Sequence, residues 1–181
     1  TAVIDTYLTH SRVLGADYDT VLDSAYQAWR ADQRAGKVSV LIAEANQTVI
    51  ELNQRARADR VLAGLVDEAG VRLHDGTQAA RGDLVVTRKN DRRLALGRGW
   101  VKNNDRWQVV TAHTDGSLTV RREASRWHTT LRLPADYVAN DVELGYAITA
   151  YRAQGVTVDS AHTLVASTTM TREAFYVAMS R

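Results

Sequence analysis

Hydrophobic residues near the start of the chain recur at the spacing of an amphipathic helix. In TVLDSAYQAWRADQRAG (20–36), four of them fit positions i, i+3, i+4 and i+7: Leu22, Ala25, Tyr26 and Trp29. Thr20 precedes them as an N-cap, and Gly36 can end the helix. The pattern therefore predicts a helix over residues 20–36.

The pattern then changes to an unbroken apolar run. VSVLIA (38–43) is rich in β-branched residues, which is typical of a parallel strand buried on both faces. After it, Asn46 can cap a second helix with apolar positions at Val49, Leu52 and Ala56 and an end near Gly64. Helix, strand and helix in this order predict an α/β layer.

From about Arg81 the hydrophobic positions change to the alternation of short strands. GDLVVTRKN, RWQVVTAHT, SLTVRRE and WHTTLRLP each fit one, and Asp115-Gly116 is a strong hairpin signal. After Pro134 the pattern predicts a helix around VELGYAIT, a buried strand at HTLVA, and a last helix, TREAFYVAMSR, capped by Thr171. We therefore expect an α/β domain in two parts, 1–80 and 136–181, interrupted by an antiparallel β module at 81–135.

Composition narrows the possible chemistry. The chain has 181 residues, enough for one core or two small ones, and no cysteine. Disulfides, thiolate metal sites and cysteine nucleophiles are therefore excluded. The absence of cysteine suits a reducing cytoplasm, which is the location that we expect. No apolar run approaches the roughly 20 residues that span a bilayer, and no signal peptide opens the chain. Since the chain begins at Thr1 rather than Met, we also expect a piece of a longer protein.

Positive charge is concentrated in the middle third, although the net charge is only +2. RKNDRR (88–93), RGWVK (98–102) and RREASR (121–126) lie among three tryptophans: Trp100, Trp107 and Trp127. Cations interleaved with aromatic rings suit phosphate contacts and base stacking. A solvated strand face over core tryptophans has the same pattern, so both interpretations stay open.

Two stretches hold further candidate binding residues. Asn46 follows a strand at its carboxyl end, where α/β sheets bind ligands and a helix N-terminus can meet a phosphate, but Asn is also a common N-cap. The loop TAYRAQG combines a hydroxyl, a ring, a guanidinium, an amide and a glycine: Thr149, Tyr151, Arg152, Gln154 and Gly155. These groups could meet a nucleic-acid backbone and a nucleotide, yet spacing alone does not distinguish this loop from an ordinary one.

Arg181 ends the last predicted helix. A cation there suits the helix dipole. A guanidinium there could equally reach a γ-phosphate held by another domain. The residue pattern fits both interpretations.

The order of these motifs resembles a known family. YAITAYRAQGVTVDSAHTLV (146–165) followed by FYVAMSR (175–181) is similar to motifs V and VI of RecD-like superfamily 1 DNA helicases. The helicase half of conjugative relaxases of the TraA, TrwC and TraI type is the most similar. SVLIAEANQTVIELNQRARADRVLAG resembles a strand and helix of their second motor domain. GDLVVTRKNDRRL with GWVKNNDRWQVV resembles the Src-homology-3-like barrel inserted into it.

The resemblance implies a RecA-like parallel-sheet domain with this inserted barrel, acting as the second motor domain of a 5′-3′ DNA helicase. It implies a surface for single-stranded DNA that contains four residues: Asn46, Thr149, Tyr151 and Arg152. We add Trp100 of the insert to this surface. Gln154 and Gly155 would lie nearer the ATP cleft, and Arg181 would be the catalytic arginine that senses the γ-phosphate.

Some positions depart from the family pattern. Tyr151 and Arg152 replace the usual His and Lys. Thr157 stands where an acidic residue often contacts a ribose, and Asn103-Asn104-Asp105 stands where Asn-Gly-Asp is common. We therefore expect a changed ribose contact and a different turn in the barrel.

The phosphate-binding half of an ATP site is missing from the sequence. It contains no GxxxxGK[ST] motif, and its five histidines are scattered, so we expect no metal site. ATP and Mg²⁺ would be held mainly by an N-terminal RecA-like domain of the same polypeptide. That domain, single-stranded DNA and conjugation-machinery proteins are the expected partners. Alone, this piece should neither hydrolyse ATP nor unwind DNA.

Two other functions fit the same motifs. One is a vestigial, non-catalytic helicase-like module that binds single-stranded DNA or docks a partner. The other is a RecD-type recombination or repair helicase without a relaxase domain.

Overall fold

The computed structural model describes residues 17–97, 99–123, 129–153 and 156–165. Its helices and strands follow one another in this order: α1 (Tyr18–Arg34), β1 (Ser39–Ala43), α2 (Asn46–Leu62), β2 (Val71–Arg72), β3 (Gln78–Ala79), β4 (Leu84–Thr87), β5 (Asp91–Leu96), β6 (Gly99–Val101), β7 (Arg106–Ala112), β8 (Leu118–Arg122), β9 (Thr130–Leu133), α3 (Ala135–Asp141), β10 (Val142–Leu144), β11 (Ala147–Thr149), a 3₁₀ turn (Tyr151–Ala153) and β12 (Ser160–Thr163).

The helix starts differ from the predicted ones. Asp17 caps α1, because its carboxylate accepts both the backbone N–H and the hydroxyl of Thr20, so the N-cap predicted at Thr20 is wrong. The cap predicted at Asn46 is also wrong: Ala45 is the N-cap of α2, and Asn46 is the first helical residue. Gly36 follows the end of α1 at φ 75°, as predicted for a residue that ends a helix.

A three-stranded parallel sheet has the order β11-β1-β12. All five residues of β1 are buried. Leu41 and Ala43 contribute to a core shared with α1 and α2, whereas Val40 and Ile42 pack on the other face against Ile148 and the 3₁₀ turn. The apolar run therefore forms the central parallel strand that it predicted.

A five-stranded antiparallel sheet has the order β10-β4-β7-β8-β9, and β5 pairs with β6 in a separate hairpin. The short antiparallel strands predicted in the middle third are present. Their assignment to a Src-homology-3-like barrel stays a prediction. The sheet continues past the predicted boundary at residue 135, because β10 pairs with β4.

The helix predicted around VELGYAIT is wrong. These residues form β10 and β11, and the helix lies just before them as α3. The chain leaves the antiparallel sheet at Gly145 and enters the parallel one two residues later. A Cβ at Gly145 would lie 3.2 Å from the carbonyl carbon of Val85, so a larger residue there would push the two backbones slightly apart.

One cluster of buried side chains lies beneath both sheets. Trp29 of α1 packs edge-on against Tyr146, with ring centroids 5.9 Å apart, and the same cluster includes Val85 and Trp107 of the antiparallel sheet. Within the described ranges, every helix is too short or too polar to cross a membrane.

Candidate nucleic-acid interface

The carboxyl ends of β1 and β11 lie side by side. Ala43 pairs with Thr149 in parallel register, and the N–H of Ala150 donates to the carbonyl oxygen of Ala43 at 3.2 Å. The exposed Asn46 at the start of α2 and the 3₁₀ turn after β11 therefore emerge at one edge of the sheet. In parallel α/β sheets this edge is where ligands bind.

Thr149 and Tyr151 have different surroundings at this edge. Thr149 is only 8% exposed, and its hydroxyl accepts the backbone N–H of Arg152 at 3.3 Å, so it holds the turn in shape. Tyr151 is 81% exposed. A ring so open to solvent is available to pack against a flat ligand, as in base stacking.

Arg152 is occupied by a partner that the sequence did not indicate. Its Nη1 lies 2.6 Å from Oε2 of Glu143 on β10, and Nε of Arg88 lies 3.6 Å from the same oxygen. Burial lowers the pKa of Arg88, and Glu143 opposes that shift. The sequence does not indicate Glu143 for the site, because the crossing from β10 to β11 brings it to Arg152.

The tryptophans of the basic region separate into two kinds. Trp107 is fully buried and donates its indole N–H to Thr87, so it belongs to the core. Trp100 on β6 is half-buried, with the guanidinium of Arg92 at 5.4 Å and Nζ of Lys102 at 5.6 Å from its ring centroid. Trp100 thus has the ring and cations that an interface for single-stranded nucleic acid uses. Trp127 lies outside the described residues.

The turn that departs from Asn-Gly-Asp keeps a left-handed residue. Asn104 has φ 67°, and its side-chain oxygen accepts a hydrogen bond from Arg88 at 2.9 Å. Asn tolerates this conformation better than most residues other than glycine. Asn104, which stands where glycine is common in the family, therefore has a positive φ in this turn.

The predicted nucleotide-binding residues Gln154, Gly155 and Arg181 lie outside the described residues. Across the described ranges, the acidic and histidine side chains form no group of three that could hold a metal ion.

No family model matches the chain. It is 32% identical over 182 residues to a probable conjugal transfer protein TraA of Sinorhizobium fredii. That alignment covers 99% of this chain and 16% of the TraA protein. It is 30% identical over 178 residues to a conjugal transfer protein TraA of Agrobacterium fabrum, with coverages of 97% and 16%. The chain is related to a segment of TraA conjugal transfer proteins. The predicted resemblance to the relaxase-helicase family is thus confirmed, and the chain spans 16% of the length of these two TraA relatives.

The fold of this chain is similar to that of a solved structure. The crystal structure of Bacteroides sp Pif1 in complex with ADP-AlF4 matches with a TM-score of 0.50 and 16% identity, over 92% of this chain and 47% of that chain. At this identity the likeness concerns the fold alone. Together with the parallel sheet, it agrees with the RecA-like class that was predicted.

Proposed function

We propose that this chain is the second motor domain of an ATP-dependent DNA helicase, in the helicase region of a conjugative relaxase for plasmid DNA transfer. One observation carries the proposal: the pairing of Ala43 with Thr149 sets Asn46 and the exposed Tyr151 at one edge of a parallel sheet. The relationship to TraA proteins over 99% of the chain supports the conjugative context.

Single-stranded DNA would run along this edge. Tyr151 would stack on a base, and the N-terminus of α2 with the amide of Asn46 would meet a phosphate. Thr149 would shape the turn that presents Tyr151. Stacking tolerates any base and phosphate contacts read no sequence, so we expect binding without strong sequence preference.

The hairpin of β5 and β6 would supply a second DNA contact. Trp100 with Arg92 and Lys102 combines a ring for stacking with charges for the backbone. We assign this hairpin to an inserted Src-homology-3-like barrel, residues 81–135, that guides the strand. Residues 1–80 and 136–181 would form the motor domain around it.

ATP and Mg²⁺ would be held mainly by an N-terminal RecA-like domain of the same polypeptide. Gln154 and Gly155 would lie on this chain's side of the cleft. The fixed charge of Arg181 would stabilise the charge that develops on the γ-phosphate. Closure of the cleft would move the strand past Tyr151 in the 5′-3′ direction, and the whole protein would act in the cytoplasm.

Binding of single-stranded DNA by this chain tests the interface. Fluorescence anisotropy with a labelled oligothymidine should show binding at low salt that weakens steeply as salt rises, because phosphate contacts release counterions. No binding at low salt would refute the proposed interface. In the full-length protein, Arg181→Ala should abolish ATP turnover and leave DNA binding intact. Normal turnover in that variant would refute the role of Arg181.

A further inference from the structure

The carboxylate of Glu143 lies between two guanidinium groups. Its Oε2 is 2.6 Å from Nη1 of Arg152 and 3.6 Å from Nε of Arg88. The three side chains are mostly buried, with exposures of 13% for Glu143, 23% for Arg152 and 18% for Arg88. Asn104 accepts a further hydrogen bond from Arg88, which fixes that guanidinium on its other side.

The ion pair of Glu143 and Arg152 crosses from one sheet to the other. Glu143 belongs to β10 of the antiparallel sheet, opposite Val86 of β4. Arg152 belongs to the 3₁₀ turn that follows β11 of the parallel sheet. The pair therefore connects the turn that carries Tyr151 to the antiparallel sheet by a contact that the backbone alone does not make.

Arg152 is restrained at both ends. Its backbone N–H donates to the hydroxyl of Thr149, and its guanidinium is held by Glu143. Tyr151 precedes it and is the exposed member of the same turn. With both ends of Arg152 restrained, the backbone of the turn that carries Tyr151 is held in shape before any ligand arrives.

The charges of the cluster do not cancel. Two arginines share one carboxylate, and the charge of Glu143 offsets the repulsion between Arg88 and Arg152. An acidic side chain close to a DNA-binding edge would ordinarily weaken the binding of a polyanion. If Glu143 favours DNA binding, its effect on the turn has to outweigh its repulsion of the DNA phosphates.

We propose that Glu143 is a positioning residue for single-stranded DNA binding: by holding Arg152, it presets the turn that displays Tyr151. This inference rests on the proposed function. Arg152 then acts through the turn instead of contacting a phosphate. Presetting the turn removes part of the ordering cost that the protein would otherwise bear when DNA binds.

Glu143→Gln tests the proposal by the sign of its effect. Loss of the tether should weaken oligothymidine binding about three- to tenfold, which corresponds to ordering one or two side chains on binding. The dependence of affinity on salt should stay the same, because no phosphate contact is lost. Simple charge removal predicts the opposite, tighter binding. Asp67→Asn is the control for charge removal: it also removes a carboxylate paired with an arginine, Arg81, at a more exposed position, and it should not weaken binding.

Arg152→Gln and the double variant complete a mutant cycle. Because each single change breaks the same tether, the double variant should bind no more weakly than either single one. Urea unfolding of each variant checks that it is folded. Unchanged or tighter binding by Glu143→Gln, or equal weakening by Asp67→Asn, would overturn the inference. So would a fall of about 0.7 in the logarithmic salt slope of Arg152→Gln, which marks a lost phosphate contact. If the unsubstituted chain binds no oligothymidine at low salt, the proposed function fails first and the inference falls with it.

Discussion

The hydroxyl of Tyr146 donates a hydrogen bond of 2.5 Å to the buried carboxylate of Asp83. The bond joins the crossing from β10 to β11 with the turn before β4. Asp83 also accepts from Nε of Arg57 at 3.0 Å and from the N–H of Ala80 at 2.8 Å. Burial raises the pKa of Asp83, and these donors oppose the shift, so each of them helps to keep a charge in the core.

Tyr146→Phe should therefore lower the free energy of unfolding by about 1 to 3 kcal/mol, because a buried carboxylate loses a donor. Urea unfolding measures the change. Tyr26→Phe is the control: Tyr26 donates to Asp59 at 2.8 Å, but that carboxylate is 32% exposed and water can replace the lost donor. Equal losses in the two variants would contradict the role given to burial.

Asp32 should make stability depend on acid pH. It accepts hydrogen bonds from Lys37, Ser160 and His162, and these, Lys37 first, hold its pKa well below the usual value of 3.8. A lowered folded-state pKa stabilises the fold above the unfolded value and loses that contribution as the pH falls.

Asp32→Asn should accordingly reduce the free energy of unfolding at about pH 7, and its difference from the unsubstituted chain should shrink below about pH 4. Urea unfolding across this range measures both quantities. A difference that stays constant down to about pH 3 would show that the charge of Asp32 is not responsible.

Asn104 offers a test of backbone conformation. Asn104→Ala and Asn104→Gly both lose the hydrogen bond from Arg88, but only alanine must adopt the positive φ with a Cβ. The alanine variant should be less stable than the glycine variant by about 1 to 2 kcal/mol. Urea midpoints that coincide for the two variants would refute the left-handed conformation.

Tyr151→Ala should weaken binding of oligothymidine by about 1 to 3 kcal/mol, the range of one base–aromatic stack. Its urea midpoint should not change, because the ring is 81% exposed. Tyr151→Phe keeps the ring and should bind normally. Weak binding by the phenylalanine variant would assign the contact to the hydroxyl instead of to stacking.

The two described tryptophans of the basic region should respond in opposite ways. Trp107→Ala removes a fully buried ring and should cost about 3 to 5 kcal/mol of unfolding free energy. Trp100→Ala should instead leave the fold intact and reduce affinity for oligothymidine by about 1 to 3 kcal/mol. Anisotropy with urea unfolding separates the two effects, and unchanged binding by Trp100→Ala would remove the hairpin from the interface.

The hydrophobic pattern predicts the structure best where every residue of a segment has the same kind of surroundings. The run VSVLIA is buried on both faces, so its composition alone predicted β1. It failed at VELGYAIT, where two sheets share eight residues and a glycine divides them, so neither period is sustained. The predicted start of α1 is wrong by a few residues, because the carboxylate of Asp17 accepts the backbone N–H of Thr20 and so begins the helix before it.

The candidate site could be predicted only in part. The parallel pairing of β1 with β11 brings Asn46 and the turn of Tyr151 to one edge, and the family resemblance had implied a common side for both, although β11 itself was predicted as helix. Glu143 could not be found from sequence, because its contact with Arg152 joins strand β10 of one sheet to the turn that follows β11 of the other. Glu143 lies beside Arg152 because of how β10 and β11 are connected, and the sequence of neither strand alone indicates this contact.

Strand β10 lies outside the predicted insert (81–135) in sequence but pairs with β4, which lies within those bounds. Deleting residues 81–135 would strip Val142 and Leu144, now buried, of their neighbouring strand. The β module is therefore not a cassette that can be exchanged between relatives at its own ends. A graft that keeps both halves folded has to carry the chain through Gly145, so the recombination point lies beyond the predicted boundary at residue 135.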